Sequence, residues 1–208
     1  MTTLVPQEVW FTADWHLGHQ RILNLGAGRP FTTIEAHDEH LIRVHNSRVR
    51  PDDIVWVLGD VAMGHIAESL ANCRRMNGRK FLVCGNHDRP TQWQHRPDKC
   101  ADWTRRYLLD GGFTAVVLDD PPGSVTVQLP QGHTATLSHY PYAGESGPNR
   151  PDRYSDRRPQ DLGRWLLHGH VHDAWDTRGR QINVGVDRWG YGPVNADDIA
   201  DIITAAIA

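Results

Sequence analysis

Apolar, β-rich runs along this chain stop, one after another, at acidic, amide or imidazole residues: VWFTAD at Asp14, IVWVLGD at Asp60, FLVCGN at Asn86, TATLSH at His139, and WLLHGH at His168 and His170. Short continuous runs of Val, Ile, Leu, Phe and Trp read as strands buried on both faces. Helical patterns separate the first three, and parallel strands need such crossovers, so the expected class is α/β with a layered, largely parallel core.

The intervening segments carry their own stop and start signals. Thr32 or Thr33 can cap a helix running to Val49, with Glu35 placed to complete a capping box with Thr32, and Pro51 marks its end. Ile66, Leu70, Cys73 and Met76 fall near one face of a helix over 65–76, which Gly78 stops. Residues 91–109 read as helical but interrupted by Pro97. From 115 to 140 several short strands joined by Pro and Gly turns suggest a second, more antiparallel sheet. WLLHGHVH and QINVGVD supply further strands, and 195–208 a terminal helix. Without repeat or boundary, 1–208 is expected to be one domain. The exception to compactness is the polar segment 141–163, long enough for a lid or binding loop and leaving the core beside His139.

Composition excludes several classes. With 39% apolar and 23% charged residues in 208, the chain is too apolar to be disordered and too polar for a membrane protein. No stretch approaches the roughly 20 apolar residues of a membrane span, and MTTLVPQEVW has neither basic start nor apolar leader core, so no membrane partner and a cytoplasmic location are expected. A formal charge of -3 offers no general basic field for duplex DNA. Cys73, Cys84 and Cys100 lack C-x-x-C spacing, which argues against a disulfide framework and a thiolate zinc site. Neither a phosphate-binding G-x-x-x-x-G-K-S/T loop nor a G-x-S-x-G elbow is present.

The strand-end residues suit metal chemistry. In an extended segment residues i and i+2 point the same way, so Asp14 with His16, and His168 with His170, can each face one ion. A mixed nitrogen and oxygen shell suits Mn, Fe, Zn, Ni or Co better than an oxygen cage for Mg or Ca. Two adjacent cations need a carboxylate between them, and Asp60 is the natural bridge. Such a pair, at ~3.5–4 Å, can hold a hydroxide of lowered pKa and neutralise phosphoryl oxygens.

In order, TADWH, VLGD, VCGNHD, LSHY and LHGHVH resemble the calcineurin-like metallophosphoesterase pattern of Asp-x-His, Gly-Asp, Gly-Asn-His-Asp/Glu, a lone His and Gly-His-x-His. The match spans 14–170, and INVGVDRWGYGPVN resembles the end of small prokaryotic and phage-type members. The resemblance implies a four-layer αββα sandwich of two mixed sheets with a dimetal site at the strand ends. It places Asp14, His16 and His170 on one ion, Asn86, His139 and His168 on the other, and Asp60 between them. It gives His87 a leaving-group and phosphate-contact role. Asp88 is expected to hold the other ring nitrogen of His87 and raise its pKa.

The implied cofactors are two divalent ions, Mn2+ first, with Fe, Zn, Ni, Co or Mg as alternatives. The expected activity is metal-dependent phosphoester hydrolysis, of diesters before monoesters. The alternatives are a phosphomonoesterase on a nucleotide or phosphoprotein, and a non-catalytic binding or scaffold protein, against which the complete ligand set speaks. Partners would be a small phosphorylated substrate or nucleotide, or single-stranded nucleic acid; oligomeric state stays open. For substrate contact the candidates are His19, Asn86 and His87, with Arg150, Arg153, Arg157 and Arg158 on the long loop and Tyr140, Tyr142 and Tyr154 available for stacking. Trp15 is expected in packing, and His172, beyond the pattern, as a structural imidazole. His37, His40, His45, His65, His95 and His133 follow no ligand spacing.

Overall fold

The computed structural model describes residues 7–26, 28–146 and 150–208. In chain order its elements are β1 (Val9–Thr12), α1 (Ile34–Arg48), β2 (Ile54–Val57), α2 (Ile66–Arg74), β3 (Arg79–Val83), α3 (Arg89–Gln92), α4 (Pro97–Leu109), β4 (Phe113–Val117), β5 (Val125–Gln128), β6 (Thr134–Leu137), β7 (Trp165–His168), β8 (Thr177–Arg178), β9 (Gln181–Asn183), β10 (Val194–Asn195) and α5 (Ala196–Ile207). Two five-stranded mixed sheets result, flanked by helices.

The first sheet has the order β10-β1-β2-β3-β4, with β1 to β4 parallel and β10 antiparallel at the edge. Alternation across the pleat explains its uninterrupted apolar sequence. Val55, Val57, Leu82 and Phe113 of the strands join one core cluster with Leu41, Leu70, Cys73 and Tyr107 of the helices. Phe11, Leu58 and Val83 join a second cluster with Leu137, Leu167 and Ile182 of the other sheet and Ile199 and Ile203 of α5.

The second sheet, β5-β6-β7-β9-β8, pairs β6, β7 and β9 in parallel, with antiparallel β5 and β8 at its edges. It is therefore less antiparallel than the turn-rich sequence suggests. The long connections after β6 and β7 supply the crossovers that parallel pairing needs.

Local signals are resolved by geometry. Thr33, not Thr32, caps α1, its side-chain oxygen accepting from Ala36 N at 3.2 Å; with that register Glu35 falls outside a capping box. Pro97 opens α4 instead of interrupting a longer helix, since its fixed φ and missing N–H suit a first helical position. The 141–163 segment contains a single short 3-10 turn, Ser155–Arg157, among its described residues, and 147–149 lie outside the description. Among the described residues no helix is long and apolar enough to cross a membrane.

The polar residues that end the apolar runs sit at or just beyond the C-terminal ends of β1, β2, β3, β6 and β7. A parallel bridge between Ala13 and Gly185 joins the exit of β1 to the segment after β9. It brings the ends of the two sheets together.

Candidate metal centre

Asp14, His16, Asp60, His170 and His172 have φ of 59°, 51°, 57°, 73° and 49°. The expectation of extended pairs is therefore corrected: the backbone turns through the left-handed region at each of these positions, a conformation that costs energy for any residue with a Cβ. Surrounding contacts hold it there. Asp14 N donates to Gly59 O and His16 N to Asp60 O, both at 3.0 Å. Arg29 donates to Asp14 O at 2.7 Å and to Trp15 O at 3.0 Å. The motif glycines serve close approach: a Cβ on Gly59 would lie 2.6 Å from Gly85 N and His139 Nδ1, and one on Gly169 2.6 Å from Asp14 Oδ2.

Among the described residues, potential ligand atoms fall into two groups that share Asp14: Asp14, His16 and His172, and Asp14, Asp60 and His139. Asp60 Oδ2 lies 3.8 Å from His16 Nε2 and 3.5 Å from His139 Nε2. His139 Nε2 is 3.1 Å from Asn86 Oδ1 and 3.2 Å from His170 Nδ1.

His139 turns one ring nitrogen toward this space. His139 gives Nδ1–H to Leu58 O at 2.8 Å, which leaves a lone pair on Nε2 of the neutral ring. Facing that lone pair are a carboxylate oxygen, an amide oxygen and another imidazole nitrogen. Asp14 Oδ1 and His16 Nε2 are buried without a hydrogen-bond partner. Acceptors that converge on acceptors in a buried pocket call for a cation. The donor set fits divalent metals.

The electrostatics agree with that fit. Burial raises the pKa of Asp14 to about 6. Burial, reinforced by Asp88, raises that of Asp60. Burial likewise pushes His16 and His170 down and His168 to about 3, so these rings are neutral as ligation requires.

The imidazoles divide differently from the expected sets. His172 joins Asp14 and His16, its ring stacked 5.0 Å from that of His16, whereas His170 lies beside His139 with ring centroids 5.0 Å apart. His168 packs its ring 4.8 Å from Trp175 and donates to Gly169 O at 2.8 Å; its buried Nε2 has no hydrogen-bond partner and belongs to neither group. The i,i+2 spacing of His168 and His170 recurs in His170 and His172, so spacing alone left two registers open. The Gly-His-x-His order, as Gly169-His170-Val171-His172, was the available signal.

His87 sits at the rim, its Nε2 4.0 Å from Asp60 Oδ2 and its amide donating to Asp60 Oδ1 at 2.9 Å. Asp88 does not support it. The Asp88 carboxylate accepts from the amides of Gly85 at 2.8 Å, Asp60 at 2.9 Å and Val61 at 3.2 Å. Burial, with His139 and His19 nearby, lowers the His87 pKa to about 4, so the expected elevation is also corrected.

His19 stands 5.3 Å from the His16 ring and 6.5 Å from that of His87. Arg157 bonds Gln94 at 3.1 Å and lines a cavity of about 290 Å³ with Asn86, Tyr140 and Tyr154. Tyr142 instead donates to Arg164 O at 3.3 Å. Arg153 and Arg158 are engaged by Glu145, and Arg150 is exposed.

Three further residues escaped sequence reasoning. Arg29 forks Asp187 through two bonds of 2.8 Å, and Asp187 Oδ2 lies 3.2 Å from His172 Nδ1. Despite burial, His172 and Arg29 hold Asp187 at about 2, while Asp187 and Asp14 outweigh the desolvation of His172 and raise its pKa. Asp187 ends the apolar run INVGVD and so carried the signal of Asp14 and Asp60; Arg29 and Glu145, in irregular polar stretches, carried none.

No family model matches the sequence. The chain is 33% identical over 207 residues to the Gene 66 protein of Mycobacterium phage L5, covering 93% of each. It is 34% identical over 205 residues to the Gene 66 protein of Mycobacterium phage D29, covering 94% of this chain and 95% of the other. The protein of unknown function AQ665 from Aquifex aeolicus shares the fold, with a TM-score of 0.67 over 95% of this chain and 100% of that one at 24% identity. At one third identity along nearly its whole length, the chain belongs to the family of these mycobacteriophage Gene 66 proteins.

Proposed function

We propose that this chain is a metal-dependent phosphoesterase that holds two divalent cations, Mn2+ first among them, and hydrolyses phosphodiesters in preference to monoesters. The observation that carries the reading is the bare Nε2 of His139, faced within 3.5 Å by Asp60 Oδ2, Asn86 Oδ1 and His170 Nδ1. In this reading Asp14, His16 and His172 hold one cation, Asn86, His139 and His170 hold the other, and Asp60 serves both. When bound, such a pair lowers the pKa of a water and neutralises phosphoryl oxygens.

The chain's own groups do the rest. His87 and His19, at the rim, contact the phosphoryl group as neutral imidazoles, and His87 offers its N–H to the departing oxygen. Arg157, with Tyr140 and Tyr154, lines the space beside Asn86 where a substituent of the phosphate fits. Preference for a diester is supported by the engagement of Arg153 and Arg158 with Glu145, which leaves few cations for a dianionic monoester. The same reading includes one αββα four-layer domain over 1–208 and a cytoplasmic setting.

Metal analysis of the Mn-loaded chain, with turnover of bis-p-nitrophenyl phosphate and p-nitrophenyl phosphate compared side by side, tests it. Two ions per chain and faster diester cleavage are expected. A chain that takes up no divalent cation, or that takes up two and cleaves neither ester, removes the phosphoesterase reading; faster monoester cleavage reverses the substrate preference.

A further inference from the structure

We propose that the cavity beside Asn86 is a subsite for a second anionic group, a terminal phosphate on one arm of the phosphodiester, recognised by Arg157 and the Tyr140 hydroxyl. The inference rests on the phosphoesterase reading above and names the substrate class within it.

The cavity borders the metal centre. Asn86, whose Oδ1 lies 3.1 Å from His139 Nε2, is part of its wall, and so is Tyr140, whose ring centroid is 4.9 Å from that of His139. A phosphoryl group held at His139 therefore has this space of about 290 Å³ beside it for one of its substituents. The volume lies near the lower end of small-ligand sites.

The charge of the wall is one-sided. Arg157 lines the cavity with Gln94, His95 and Tyr154, and none of the lining residues is acidic. Arg157 donates to the neutral Gln94 Oε1 at 3.1 Å and, among the described residues, pairs with no carboxylate. Arg153 and Arg158 nearby are both taken by Glu145. The acids lie in an adjoining space of about 90 Å³, which shares Gln94, Tyr140 and Arg157 and adds Asp119, Asp120 and Asp156. An anion is thus favoured in the larger space and disfavoured in the smaller one.

Tyr140 supplies an independent observation. It is 4% exposed, and its hydroxyl is buried with no hydrogen-bond partner. A buried hydroxyl left unmatched at a cavity wall costs free energy that a ligand oxygen recovers. With its Oε1 committed to Arg157, Gln94 keeps its NH2 as a donor. Guanidinium, amide NH2 and phenol make a wall rich in donors, which suits the oxygens of a phosphate; a nucleobase edge needs acceptors as well.

The test uses the full chain loaded with Mn2+ and the thymidine dinucleotide TpT, with and without a phosphate at its 5′ or 3′ end. In the wild-type chain one of the two terminally phosphorylated forms should have a KM about 10- to 100-fold below that of TpT, as a charge-assisted contact provides. Arg157→Gln should bring that ratio close to one, and Arg157→Lys should restore part of it. Tyr140→Phe, which keeps the ring, should reduce the ratio by a smaller factor. A merely structural defect would slow all three dinucleotides alike and leave the ratio in place. Calorimetric binding of thymidine 3′,5′-bisphosphate against thymidine 5′-phosphate reads the same preference without turnover, and Arg157→Gln should lose it. Equal KM for the three dinucleotides, or a preference that survives Arg157→Gln, overturns this inference alone. So does TpT bound far better than bis-p-nitrophenyl phosphate with no gain from a terminal phosphate, which assigns the cavity to a nucleobase. A Mn-loaded chain that cleaves no diester removes the phosphoesterase reading and this inference with it.

Discussion

Arg29 and Asp187, 158 residues apart in sequence, form a buried pair in which two parallel hydrogen bonds of 2.8 Å match guanidinium to carboxylate. The remaining Arg29 donors go to the carbonyls of Asp14 and Trp15 and to His37 Nε2, whose Nδ1–H in turn bonds Asp38 at 2.8 Å. One guanidinium therefore ties the left-handed turn at Asp14 to the acid that backs His172.

Arg29→Met should destabilise the chain by about 3–5 kcal/mol, because the change strands a buried carboxylate. Arg29→Lys should recover only part of the loss, since an ammonium cannot reproduce the fork. Urea denaturation measures both. A loss below ~1 kcal/mol for Arg29→Met would show that the pair does not organise the site.

Asp88→Asn should lower the urea midpoint by the equivalent of about 2 kcal/mol or more. The substitution replaces one carboxylate oxygen with an NH2 group, which then faces either the N–H of Val61 or those of Asp60 and Gly85 and leaves them without an acceptor. Unchanged stability, with turnover altered selectively for poor leaving groups, would instead return Asp88 to a partnership with His87.

His172→Ala and His168→Ala separate the two possible registers of the histidine triplet. Mass-spectrometric metal analysis should find one ion lost or strongly weakened in His172→Ala and both retained in His168→Ala, whose ring packs on Trp175. The opposite result would restore the His168 and His170 assignment.

His45 of α1 provides a pH dependence away from the site. Burial, aided by Lys80 and Arg48 and opposed by the Asn77 carbonyl, lowers its pKa from 6.5 to about 4. The unfolded chain therefore takes up a proton between these values that the folded one refuses, and stability rises with pH across that window. The contribution is complete above pH 6.5 and is lost as pH falls through about 4, amounting to about 3 kcal/mol. Urea midpoints at pH 7 and pH 4.5 should differ less in His45→Gln than in the wild-type chain; equal differences would assign the acid sensitivity to other groups.

Much of the fold was legible because burial on both faces demands continuous apolar strands, and the helices between β1, β2 and β3 announced parallel pairing. Pro97 was misread as a break because one residue can end or begin a helix, and only the surrounding chain decides which. The pairing of β6, β7 and β9 was illegible for a similar reason, since turn-rich sequence does not state which strand lies beside which.

The order of Asp14, His16, Asp60, Asn86, His139 and the Gly-His-x-His run in the sequence determined the donor atoms available to a metal centre, because each donor follows an apolar run that must be buried. Tertiary structure alone decided which donors meet. Left-handed turns at Asp14, His16, Asp60, His170 and His172 reorient side chains that an extended chain would alternate. Those turns survive because Arg29, Asp88, Asp187 and close-packed glycines hold them from remote parts of the chain. Spacing records which residues are neighbours along a strand; a pocket assembled from several loop ends depends on contacts that no single stretch of sequence contains.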